Sequence, residues 1–236
     1  MKEYKVMNDY LYFRDVFSDT MGVNYRVAPI QNRKPVGHKL LCEVNPSISG
    51  HADMWKRVKI LLEGIKKSNI PFLYSPEKII VGDKQNQLVF DYFKGKNFEQ
   101  ILADAEKKGM AINFDLAMSI CIAIADIIEV GSSIIVSGER SYHGFLTPDN
   151  ILIHYDGKIF LKNYGIFPYL EKNDHFYSET EKRYGSWLTP EFIRKEKTVS
   201  QSDIYHLGYL IYRVLTGKYF SYTAGEDFEA KFSNLT

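Results

Sequence analysis

The chain has 236 residues, a net charge of +1, 45% hydrophobic and 25% charged residues, and as many as 17 tyrosines and 15 phenylalanines. That is enough chain for one or two domains with a sizeable core. The near-neutral charge excludes a general attraction to nucleic acid or to acidic membranes. Cys42 and Cys121 each lie in an apolar run and are expected as buried free thiols of a reducing compartment. No Cys/His cluster has metal-ligand spacing. The N-terminal MKEYKVMNDYLYF lacks the apolar core of a signal peptide, and Asp115, Asp126, Glu129 and Gly131 interrupt the apolar stretch 114–136. Neither a signal peptide nor a membrane span is expected.

In chain order, residues 24–30 and 39–44 read as strands around a polar turn holding Pro35 and Gly37. Met54, Val58, Leu61, Leu62 and Ile65 have helical spacing and predict a helix over 54–67. Strands at 79–81 and 87–92 follow, then a short helix over 97–105. The long apolar segment 114–130 predicts a core helix with Leu116, Ile120, Ile124 and Ile127 on one face. The connection 131–141 carries an apolar clip, 134–136, expected as a packed loop or a contact surface. Ile151–Ile153 and Ile159–Leu161 flank Asp156-Gly157, a two-residue hairpin signal. That hairpin joins a loop ending in Asn150 to one beginning at Asn163. A final short helix is expected over 227–235.

Several stretches together resemble the protein kinases. His143-Gly144-Phe145-Leu146-Thr147-Pro148-Asp149-Asn150 and Asn163-Tyr164-Gly165 keep the frame of the kinase H-R-D-L-x-x-x-N and D-F-G motifs. Gly185-Ser186-Trp187-Leu188-Thr189-Pro190-Glu191 resembles a segment closing in A-P-E. Ser202-Asp203-Ile204-Tyr205-His206-Leu207-Gly208 resembles the buried helix beneath the catalytic loop. In the first part of the chain, Gly22 fits the third glycine of the Gly-rich loop, with Phe17 and Asp19 at the first two positions. Leu40-Leu41-Cys42-Glu43 fits the V-A-I-K strand, and Leu88–Gly95 resembles the last small-lobe strand and the hinge. The style of the motifs resembles bacterial Ser/Thr kinases.

The resemblance implies an α+β, two-lobed fold: a small antiparallel-sheet lobe and hinge over 1–95, and a mostly helical large lobe over 96–236 without its last helices. It also implies that the chemistry has been removed. The phosphate Lys, base Asp and metal Asp positions hold Glu43, Phe145 and Asn163, and Thr147 replaces the Lys two residues after the base. The remnant cleft is expected from Gly22, Leu41, Phe90, Asp91, Tyr92, Asn150 and Leu152, and the shape-keeping positions are His143, Tyr164, Gly165, Glu191 and Asp203. The expectation is a cytoplasmic pseudokinase, not an enzyme, with no metal site and weak or absent ATP/Mg binding. It would bind protein partners such as an active kinase. The alternatives are a nucleotide-binding switch without phosphoryl transfer, and a transferase built on Asp149 and Asp156, otherwise a loop-surface residue and a turn residue. Ser178, Thr180 and Thr189 could accept phosphate.

Overall fold

The computed structural model describes residues 6–7, 9–82, 85–136, 138–171 and 173–219. Its first part is a seven-stranded antiparallel sheet: β1 (Val6–Met7), β2 (Tyr10–Asp19), β3 (Gly22–Gln31), β4 (Lys34–Pro35), β5 (Lys39–Val44), β7 (Lys78–Ile80) and β8 (Gln87–Asp91). The order is β1-β2-β3-β5-β8-β7, with β4 on β3. The period-2 signal misses β2, because register shifts at Tyr12/Arg14 and Asp15/Phe17 break its alternation. Phe17 and Asp19 therefore belong to a strand, and a tight turn at Thr20–Met21 leads into β3. Gly22 opens β3 because a Cβ there would lie 2.0 Å from the Glu43 carbonyl oxygen.

After the single turn α1 (Pro46–Ser49), α2 (Ala52–Ser68) buries Trp55, Val58, Leu61, Leu62 and Ile65. These pack in one core with Leu40, Cys42 and Val44 of β5. The strand alternation sends Leu41 to the opposite face, where it joins Tyr10, Tyr12, Val27 and Val89.

The large lobe begins with β9 (Gly95–Asn97) and α3 (Phe98–Lys107), which is closed by an Asn97–Gln100 capping box. Helix α4 (Phe114–Gly131) buries Ala117, Ile120, Cys121, Ile124, Ile127 and Ile128. Leu116, expected on that face, is 55% exposed, so the apolar stripe starts one residue later. The clip in the following connection is a small hairpin, β10 (Ile135–Val136) with β11 (Glu139–Arg140), that buries Ile134 and Val136 and exposes Ile135. Strands β12 (Ile151–His154) and β13 (Ile159–Lys162) pair around the 156–157 turn. They form a four-stranded sheet, β6-β13-β12-β9, with β6 (Leu73–Tyr74). The stretch 166–191 is helical: α5 (Phe167–Leu170), α6 (Asp174–Tyr184) and α7 (Pro190–Ile193). Helix α8 (Ser200–Thr216) lies against α4 and ends at Gly217, whose φ of +69° is the left-handed cap. The helix expected over 227–235 lies outside the described residues. Among the described residues no helix is long and apolar enough to cross a membrane.

Gly131 shows how closely the large lobe is packed. A Cβ there would stand 2.5 Å from the ring of Tyr164. Gly131→Ala should therefore lower stability in urea by about 1–3 kcal/mol through overpacking. The Tyr164 hydroxyl finds no hydrogen-bond partner among the described residues. Tyr164→Phe should accordingly be neutral or gain up to about 1 kcal/mol in the same experiment.

Candidate active-site cleft

The cleft is built on Asp203, in the first turn of α8. Its wholly buried carboxylate accepts hydrogen bonds from the backbone N–H groups of His143 (2.8 Å) and Gly144 (2.7 Å). Burial outweighs those two donors and pushes the carboxyl up to about 7. The His143 ring donates through Nε2 to the Lys162 carbonyl (3.0 Å) and accepts at Nδ1 from the Phe145 N–H (3.3 Å). Burial holds this imidazole down at about 3. Glu191 accepts from the Ser202 hydroxyl, which joins α7 to the start of α8. Gly165 has φ +70°, and a Cβ there would meet the Ser141 hydroxyl at 2.6 Å.

Phe145 stacks on Phe167 (4.2 Å between centroids, 8° between planes) and meets Tyr184 and His206 edge-on. Next to it runs one connected line of polar contacts. The Asn163 amide donates to Asn150 Oδ1 (2.9 Å), and the Asn150 amide donates to Phe145 O (3.1 Å) and Thr147 Oγ1 (3.0 Å). Thr147 donates to Asp149, which also accepts from Tyr184 Oη (2.5 Å). Asp149 is thus 6% exposed and not the loop-surface residue expected from the sequence. Burial, with the charge of Asp19 adding to it, pushes its carboxyl up to about 6. Asp156 is not brought to it: it sits in the exposed hairpin turn, paired with His154 (2.7 Å) and Lys158 (2.9 Å). The two acids form no converging pair.

At the other end of the line lies a residue that the motif positions pass over. Lys162, the last residue of β13, is wholly buried, with its ammonium 2.5 Å from Asp19 Oδ2 and 3.4 Å from Asn163 Oδ1. It lies over the ring of Phe90 (5.0 Å) and near that of Phe17 (5.9 Å). The available sequence signal was a lysine closing the apolar run Ile159-Phe160-Leu161, with no acid in its own strand. Asp19 also accepts from the N–H groups of Met21 (2.8 Å) and Gly22 (3.3 Å) and from the Asn24 amide (3.0 Å).

Two expected cleft residues are misplaced by the sequence reading. Glu43 and Leu41 lie on the far face of the sheet, where Glu43 accepts from Tyr12 Oη (3.2 Å). A shift of one residue along a strand exchanges its faces. Cys42, buried and thereby pushed up to about 12, is on the other face and shares the core with α2 together with Leu40 and Val44. Phe90 is at the back of the cleft, stacked on Tyr74 (5.1 Å), and Leu152 is fully buried. Asp91 is exposed and pairs with Lys39 (2.8 Å), and Tyr92 packs against Arg26 and His38. Thr180 and Thr189 are buried, and Thr189 caps α7, so of the three expected phosphate acceptors only Ser178 is exposed.

The turn Thr20–Met21 fills the mouth of this site. Met21 is fully buried, and the space left among Met21, His143, Phe145, Asn150, Asn163 and Phe167 is only about 10 Å³. Helix α6 holds the turn in place: Arg183 donates to the carbonyls of Ser18 (2.6 Å) and Asp19 (3.3 Å). Glu179 accepts from Asn45 (3.0 Å) and Ser47 (3.2 Å) of the small lobe. A groove of about 580 Å³ opens beside the turn, between Phe17, Gln100, Asp149, Arg183 and Trp187. The residues do not fit a nucleotide with its metal in this arrangement. Turn atoms occupy the cleft, the Asn163 amide is spent on Asn150 Oδ1, and the Asn150 amide on Phe145 O and Thr147. Among the described residues no three acidic, His or Cys side chains are grouped to hold a metal ion.

Two outcomes follow for the buried acids. Asp203→Ala should cost about 2–4 kcal/mol in urea unfolding, because it leaves two buried N–H groups without an acceptor. Asp149 has a raised folded-state value, so its contribution to stability is complete below pH ~4 and is lost as the pH rises through about 6. The stability advantage of the wild type over Asp149→Asn should shrink across that window by roughly 2–3 kcal/mol. A pH-independent difference would contradict this assignment.

The sequence profile of the protein tyrosine and serine/threonine kinase family matches residues 17–232. A probable inactive receptor kinase of Arabidopsis thaliana is 29% identical over 142 residues, covering 59% of this chain and 21% of the relative. A probable serine/threonine-protein kinase of Clostridium perfringens is 27% identical over 137 residues, 57% of this chain and 18% of the relative. The chain thus spans about a fifth of the length of these relatives. Among solved structures, the PknI kinase domain of Mycobacterium tuberculosis superimposes with a TM-score of 0.64 at 17% identity, over 93% of this chain and 77% of that one. These matches correct the expectation that the chain is not an enzyme: the family and several relatives are named as kinases. Reading only the motif positions also missed a charged group that enters the cleft from elsewhere, Lys162 from β13. By its sequence profile and its two-lobed fold, the chain belongs to the protein tyrosine and serine/threonine kinase family.

Proposed function

We propose that this kinase-family domain acts in cytoplasmic signalling as a regulatory module that binds proteins, such as an active kinase, through its lobe surfaces. In its closed form it binds ATP and Mg²⁺ weakly or not at all. One observation carries this reading: the turn between β2 and β3 occupies the cleft, with Met21 fully buried and Asp19 paired to Lys162. A nucleotide would have to displace a buried ion pair and the Arg183 contacts of α6 before its phosphates could enter. The contacts from α6 to Asn45 and Ser47 hold the two lobes together, a shape suited to presenting a constant surface.

A thermal-shift titration with ATP and ADP, with and without Mg²⁺, tests this reading. A ligand at 100 times its dissociation constant stabilises a fold by about 2.7 kcal/mol, which is readily seen as a higher melting temperature. The expected result is no shift at millimolar nucleotide. A saturable, metal-dependent rise at micromolar ATP would sink the proposal.

A further inference from the structure

A groove of about 380 Å³ lies between α4, the turn before β6 and the β12–β13 turn, and shares no residue with the cleft. Its walls include Phe72, Ala123, Ile127, Val130 and Ile159. Ile127 and Ile159 are buried, but Phe72 and Val130 are left 41% and 50% exposed. Phe72 is held there at a cost. It follows Pro71 in the turn with φ +74°, where a bulky side chain is rarely found, and its carbonyl accepts from the Leu161 N–H (2.8 Å). Its ring packs against Phe160 (5.8 Å between centroids). A glycine would suit that backbone, so the turn keeps an aromatic ring against its own conformational preference.

The charge beside this groove is one-sided. Asp126 lines it and Glu129 stands one turn further along α4, both exposed. Helix α4 contains no Lys or Arg, and neither acid has an ion-pair partner among the described residues. Glu129 lies in the last turn, where the helix dipole is itself negative. Lys158, on the other wall, is already paired to Asp156 (2.9 Å). The volume is within the range that proteins use for ligands, and the uncompensated acids favour a cation at the rim.

We propose that this groove docks a segment of a partner protein in which an aromatic or aliphatic side chain stands next to Lys or Arg. The apolar side chain enters between Phe72 and Val130, and the cation meets Asp126 and Glu129. Two half-exposed apolar walls favour a peptide, which covers them, over a small molecule enclosed within the groove. This deepens the regulatory reading above, and it rests on that reading for the partner's being a protein.

The test is an array of octapeptides probed with the labelled chain. Two central positions run through Leu, Ile, Met, Phe, Trp and Ser, and their neighbours through Arg, Glu and Ser. The expected result is retention of peptides that combine an apolar residue with Arg, and not of the Glu or all-Ser sets. Phe72→Gly removes one wall while suiting the backbone of that position, so it should melt cooperatively. Its affinity for the best-retained peptide, read by fluorescence anisotropy, should fall at least about tenfold, as for a buried aromatic anchor. Asp126→Lys/Glu129→Lys should turn the preference from Arg peptides to Glu peptides. No selective retention by the wild type, unchanged affinity of Phe72→Gly, or a preference for Arg that survives the charge reversal would each overturn the proposal. If Phe72→Gly does not melt cooperatively, Val130→Glu, at a position already half-exposed, takes its place with the same expected loss. A thermal-shift measurement with ATP and Mg²⁺ on the same preparation separates the two readings. Selective peptide retention together with a response to micromolar ATP removes the closed-cleft reading alone, and no response with no retention removes the groove alone.

Discussion

The two lobes meet at an ion pair withdrawn from water. Asp19 belongs to the small-lobe sheet and Lys162 to the large-lobe hairpin, and neither side chain has any exposed surface. Removing two charges from solvent costs several kcal/mol per ion, and only close geometry with additional hydrogen bonds offsets it. Asp19 has that support in Met21 N–H, Gly22 N–H and Asn24. Lys162 has two aromatic faces and the Asn163 carbonyl. Such a pair is weak evidence for stability but strong evidence for a single arrangement, because either ion left alone in that place is far more costly than both together.

The rest of the cleft is arranged around this junction. The backbone carbonyl of Lys162 receives the His143 ring, so the same residue that closes the cleft also sets the tautomer of the loop histidine. Asp203 then fixes that loop from below through two N–H groups. From Lys162 the contacts continue through Asn163, Asn150, Thr147 and Asp149 to Tyr184 on α6. The same helix reaches back over the turn with Arg183. A displacement of α6 therefore acts on both ends of the polar line at once.

Much of the fold was legible in the sequence because helix periodicity and the 156–157 turn are local signals. Helices α2 and α4 and the β12–β13 hairpin follow from them directly, whereas α8 was legible only through the resemblance of 202–208 to the kinase helix beneath the catalytic loop. The cleft was less legible, for physical reasons. The face to which Glu43 points depends on a register that only the pairing with β3 and β8 fixes, and a shift of one residue inverts it. The β-bulges of β2 erased its alternation and hid the fact that Asp19 ends a strand and turns inward. Lys162 could not be paired from sequence, since its partner is 143 residues away. Asp149 looked like loop surface because the Tyr184 that covers it comes from a distant helix.

Phe145 carries a consequence of a different kind. Its ring is not a simple replacement at one position but part of a continuous aromatic wall, with Phe167 stacked on it and Phe176 and Phe192 behind. An aspartate introduced there alone would place a carboxylate against the rings of Phe167 and Tyr184. The wall would have to be thinned first, at Phe167 and its neighbours, before an acid at 145 could be accommodated. The order of substitutions thus matters more than their number. A change at 145 is therefore also a change in the surroundings of Phe167, which Phe176 and Phe192 hold from behind.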